Sequence, residues 1–116
     1  MLNLLYALFL SLFATSAYAQ SMNNPSVVFS GQVVIAVTNT AVCLPSNTTS
    51  NGTVLKAKTS NTGNGFVGGQ NVTTTDTGAG NGYRLLPGEA ISLASSNTAT
   101  LCVNGTSGDI YYFIGN

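Results

Sequence analysis

The chain has 116 residues with 3 Lys+Arg, 3 Asp+Glu, no His and no Trp, and only 5% are charged against roughly 25% in an ordinary soluble domain. A zero net charge built on three basic residues cannot neutralise the phosphates that nucleic-acid binding requires, and two Cys without His make no zinc-ligand set and no Ser-His or Cys-His nucleophile pair. With 44% hydrophobic residues the chain is apolar enough to collapse, and its polarity is carried by Asn, Thr, Ser and 13 Gly.

The run Leu2 to Phe13 (LNLLYALFLSLF) is almost wholly apolar and is followed by ATSAYA. Ala17-Tyr18-Ala19 has the small-x-small form that signal peptidase reads, so residues 1–19 are expected to be a signal helix cut after Ala19. The alternative is an uncleaved membrane anchor, since a helix from Leu2 to Ala19 rises about 27 Å against a hydrocarbon core of ~30 Å. No Lys or Arg precedes the run. Residues 20–30 read as a flexible lead with a short edge strand at Val27–Phe29, ended by Ser30-Gly31. Residues 31–116 read as one domain.

In that domain no segment sustains a 3.6-residue apolar period, and Thr, Val and Ile are abundant, so strands are expected. Gln32 to Thr38 alternates with Val33, Ile35 and Val37 on one face. Ala41 to Leu44 is stopped by Pro45-Ser46. Thr53 to Thr59 places Val54, Lys56 and Lys58 on one wet face and Leu55 and Ala57 on the other. Ser60 to Gly82 is rich in turns, with short strands expected at Phe66-Val67 and Asn71 to Thr74. Tyr83 to Leu86 is cut by Pro87-Gly88. Glu89 to Ala94 and Thr98 to Val103 follow, and Asp109 to Ile114 closes the chain. Ile110, Tyr112 and Ile114 oppose Tyr111 and Phe113 there, so this strand is expected to be central or to bury its second face in an interface. Eight or nine short strands at this spacing predict an all-β, antiparallel β-sandwich, jelly-roll-like in character.

Cys43 and Cys102 form the only available pair, and an oxidising compartment favours their disulfide. Val42 and Leu44 share one face and Cys43 takes the other; Leu101 and Val103 share one face and Cys102 takes the other. With apolar faces inward, both thiols point outward, where neighbouring strands can bridge them.

Chemistry has few candidates. Asp76, Glu89 and Asp109 each carry a structural reading, in a Thr/Gly loop, after a Pro-Gly turn and at a strand start, so no catalytic site is expected. No Gly cluster has phosphate-loop form, and neither a metal nor a cofactor is expected. Asn47, Asn51, Asn71 and Asn104 each head an Asn-x-Thr triplet, the acceptor form for Asn-linked glycans in a eukaryotic secretory route and a by-product of composition elsewhere. Tyr83, Arg84, Tyr111 and Tyr112 are the candidates for a ligand or interface patch. Tyrosine rings beside Asn and Thr donors suit neutral glycans, the alternative being that they pack in the sandwich.

The segments TAVCLPS, NGTVLKAKTSNTGNGFVGG, NGYRLLPGEAISL and GDIYYFIG follow one another in an order that resembles small virion accessory proteins of tailed bacteriophages. In that family an Asn-Thr-Gly turn precedes an aromatic-Val-Gly strand, a Leu-x-Pro-Gly-Glu turn leads into an Ile-x-Leu strand, and a Gly-Asp turn leads into a Tyr-rich final strand. The resemblance covers residues 31–116 and implies a β-sandwich displayed on a particle, as in capsid decoration or fibre-type proteins. The export signal and the cysteine pair depart from that pattern and suit an exported homologue, a membrane-containing particle or a filament subunit.

The resulting expectation is a non-enzymatic, exported structural protein that self-assembles on or decorates a surface, located in the periplasm, outside the cell or on a virion. Its partners are copies of itself or other surface or virion proteins, with no nucleic acid, and with a membrane only through residues 1–19 if these stay attached. The alternative is a secreted carbohydrate-binding module that uses exposed Tyr residues.

Overall fold

The computed structural model describes residues 27–116. The signal helix expected over residues 1–19 and the first part of the lead lie outside the described residues. Eight strands form: β1 (Phe29–Val34), β2 (Val42–Cys43), β3 (Thr53–Ala57), β4 (Gly65–Gly68), β5 (Tyr83–Leu85), β6 (Ala90–Leu93), β7 (Cys102–Asn104) and β8 (Ile110–Gly115). A single 3₁₀ turn at Thr98–Thr100 is the one helical element among the described residues.

The strands make two antiparallel four-stranded sheets. The first runs β1-β8-β3-β6 and the second β2-β7-β4-β5. Strand 1 pairs with 8, 2 with 7, 3 with 6 and 4 with 5, as in a long hairpin wrapped round a core. The two sheets form a β-sandwich. Its interior is filled by Val33, Ile35, Leu55, Ala57, Tyr111 and Phe113 from the first side and Leu44, Val67, Leu85 and Val103 from the second. These are the alternate positions of their strands, so the period of two decides which side chains leave water.

Several expected elements change form. Ser30-Gly31 does not break the chain; both lie inside β1. Gly31 stands opposite Phe113 in the register, and a Cβ at Gly31 would lie 2.5 Å from the Phe113 ring. The glycine therefore makes room for an aromatic ring rather than a turn. The strand expected through Thr38 ends at Val34, and the chain turns at Asn39 (φ 62) to cross to the second sheet. The strand expected from Thr98 begins only at Cys102. Asn97 Oδ1 accepts from Ala99 N–H at 2.8 Å and caps a helical turn instead. Thr98 beneath it is buried, its hydroxyl accepting from Asn47 N–H at 2.9 Å and donating to Pro45 O.

Tyr111 crosses the core from the first sheet. Its side chain is fully buried, and its hydroxyl has no hydrogen-bond partner among the described residues. The ring end lies against Gly65, where a Cβ would overlap it. Burial, with a smaller contribution from the nearby Asp109 carboxylate, pushes the phenol up to about 12 from its usual 10.0. In the unfolded chain the phenol ionises near its usual value. The stability it contributes is thus complete below pH 10 and is lost as pH rises toward 12, a fall of about 2–3 kcal/mol. Tyr111→Phe is expected to flatten this alkaline slope and to leave stability at pH 7 unchanged or raised, because it deletes an unpaired buried hydroxyl. Urea unfolding at pH 7 and pH 11 measures both effects, and a slope that survives the substitution would rule the assignment out.

Candidate interaction surfaces

The two outer faces of the sandwich differ. On the second sheet the outward positions include Cys43, Cys102, Asn104, Phe66, Gly68 and Arg84. The segment 69–82 folds back over Cys102, Asn104, Phe66 and Gly68. Val72 packs on Phe66 and Cys102 in a small cluster of buried residues, with Ala41 alongside. Asn104 Nδ2 donates to Val72 O at 2.9 Å, and Asn81 ties the segment together, accepting from Thr73 N–H at 2.9 Å and donating to Asn71 O at 2.8 Å. Residues Asn71 to Thr74 thus act as a cover rather than the strand expected there. The close fit shows at Gly82, where a Cβ would lie 2.7 Å from the Val72 side chain.

Cys43 and Cys102 face each other in the register of β2 and β7 and form the disulfide. Both sulfurs are on the outer face, as their parity requires. Cys43 is exposed, while Cys102 is fully buried beneath the cover.

The first sheet has no such cover among the described residues. Its outward positions are Ser30, Gln32 and Val34 on β1, Ile110, Tyr112 and Ile114 on β8, Val54 and Lys56 on β3, and Ala90 and Ser92 on β6. Val34, Val54 and Ile114 keep 49%, 39% and 51% of their surface exposed. Ile114 and Val54 are direct cross-strand neighbours, as are Tyr112 and Lys56. Lys56 is the only charged side chain on these ten positions. The expectation for the last strand is met in its first half: β8 is central, between β1 and β3. No described residue covers its second face.

The four residues of the expected patch are not brought together. Tyr83 and Arg84 lie on β5, the edge of the second sheet. Tyr111 is a fully buried core residue of the first sheet, and Tyr112, half-buried, faces outward from the same strand. Tyr83 is 62% exposed. Arg84 is engaged by Asp76 at 2.6 Å, an exposed pair that pins the 69–82 cover to β5.

Every acid has a structural partner. Asp76 meets Arg84, and Glu89 accepts from Leu86 N–H at 2.8 Å across the Pro87-Gly88 turn. Asp109 is buried and accepts from Thr62 N–H at 2.8 Å, Thr62 Oγ1 at 3.0 Å and Gly63 N–H at 3.1 Å. Asn61 extends this junction by exchanging two hydrogen bonds with the Ile110 backbone, at 2.9 Å and 2.8 Å. The Asn-Thr-Gly and Gly-Asp turns, 46 residues or more apart, therefore meet. In the sequence they are separate landmarks, because no local pattern marks which loop a carboxylate will cap. Among the described residues no three His, Cys, Asp or Glu side chains cluster as a metal site, and no helix is long and apolar enough to cross a membrane. No protein-family model, curated protein or solved structure matches the chain.

Proposed function

We propose that this chain is a non-enzymatic, exported structural subunit of jelly-roll type that packs against copies of itself, as a virion accessory protein or an extracellular filament subunit does. The observation that carries this reading is the outer face of the first sheet, which no other described residue covers. Among the described residues the chain covers part of one sheet with its own loop and leaves Val34, Ile114 and Val54 exposed on the other, around the half-buried Tyr112. Contiguous exposed apolar side chains of this kind mark interaction surfaces. The edge strand β1 beside them, FSGQVV, carries none of the charges that usually keep sheet edges apart.

Other features support the same reading. The strand orders β1-β8-β3-β6 and β2-β7-β4-β5 follow the double-sheet, two-Greek-key plan common among viral capsid and lectin domains. The disulfide suits an oxidising compartment. The engagement of all three acids in structural contacts leaves none poised for general acid–base work. The carbohydrate-binding alternative draws less support, since its tyrosines are spread over two sheets and the core.

Size-exclusion chromatography with light scattering on the full chain tests the proposal. Concentration-dependent oligomers are expected. The double substitution Val54→Lys, Ile114→Lys adds like charges beside Lys56 and is expected to weaken association by several kcal/mol, on the order of 100-fold or more, with the fold retained. A strictly monomeric wild-type protein at high concentration would refute self-assembly.

A further inference from the structure

The four Asn-x-Thr triplets occupy different environments. Asn51 and Asn71 are exposed, and Asn47 is half-buried with its Nδ2 donating to Pro45 O at 3.3 Å. Asn104 is only 3% exposed. Its Nδ2, the atom a glycan would be joined to, donates to Val72 O at 2.9 Å, and its Oδ1 accepts from Gly105 N–H at 2.8 Å. Above it lies the 69–82 cover; beside it, across the register, lies Phe66. The site holds the amide and nothing larger.

Asn-linked sugars are attached to the extended chain as it enters the lumen, before tertiary structure forms. A glycan is bulky and hydrated and belongs on surface loops. On Asn104 Nδ2 it would have to pass through the cover. Val72 would then be lifted from Phe66 and Cys102, and the outer face of the second sheet would be opened to water.

We infer that Asn104 is a glycan acceptor by sequence that the fold cannot accept, so that this chain matures only along an export route that does not glycosylate Asn-x-Thr. Together with the disulfide, this narrows the compartment to an oxidising one without that sugar transferase. The inference rests on the export reading given above and adds to it which kind of export is compatible with the fold.

The test is secretion of the full chain from a eukaryotic cell, compared with Thr106→Val. That substitution destroys the triplet while leaving both Asn104 hydrogen bonds in place, and the Thr106 hydroxyl makes no hydrogen bond among the described residues. Wild-type chains are expected to carry a glycan on Asn104 by mass spectrometry, to be protease-sensitive and to stay in the cell. Thr106→Val is expected to be secreted several-fold better, with its disulfide formed. Secretion of folded wild type, whether Asn104 is occupied or bare, overturns the inference, and so does a Thr106→Val protein no better secreted than wild type. Glycans on Asn51 and Asn71 report entry into the lumen and test the export reading separately. If they are absent, the comparison is made with residues 1–19 replaced by a host leader.

Discussion

Replacing Asp109 by Ala is expected to lower the unfolding free energy by about 3–5 kcal/mol, enough to leave a domain of this size partly unfolded at 37 °C. The carboxylate accepts three hydrogen bonds from Thr62 and Gly63, and bonds to an ionised acceptor are worth about 1.5–3 kcal/mol each before relaxation. The substitution also leaves the Thr62 and Gly63 N–H groups without the acceptor they had. Asp109→Asn is expected to cost less, because its single amide oxygen keeps part of the network. Urea unfolding monitored by tyrosine fluorescence measures both variants. A loss below about 1 kcal/mol for Asp109→Ala would show that the junction of the two turns is held by its other contacts.

The second large effect is expected from the disulfide. Cys43 and Cys102 close a loop with a sequence separation of 59, for which the chain-entropy model assigns about 4 kcal/mol. Cys43→Ala, Cys102→Ala should lose roughly that amount, with a further part from the gap left under Val72 and Phe66. Because Cys43 is exposed, a dithiol reductant should produce a similar loss in the wild-type chain. Thermal unfolding with and without reductant measures it. Equal stability of the oxidised and reduced proteins would remove the bridge from the account of what holds β2 in place.

Period-two alternation made much of this fold legible. The inward set Leu55 and Ala57 and the outward parity of both cysteines follow from it; for Val33 and Ile35, and for Tyr111 and Phe113, alternation gives a shared face but not which face is inward, because both faces of those strands are apolar. Failures came where a residue answers to something distant. Gly31 looks like a turn until Phe113 is placed opposite it, 82 positions away in the chain. Thr98 looks like a strand residue until Asn97 caps the turn above it. The tyrosine patch failed for a related reason. Tyr111 and Tyr112 are neighbours in sequence, yet a strand sends one into the core and the other out of it. Composition, for its part, could say that the surface is neutral; only the folded chain divides that surface into a covered face and an open one.

The position of β8 sets when the molecule can exist. The last strand lies between β1 and β3, so the first sheet has no continuous pairing until residues 110–115 are present. Strand β1 must wait for residues 110–115, far along the chain, and such non-local closure is slow. The first sheet of a nascent chain of this kind stays open until residues 110–115 are made. Tyr111 and Phe113 reach the core only when that closing strand takes its place between β1 and β3.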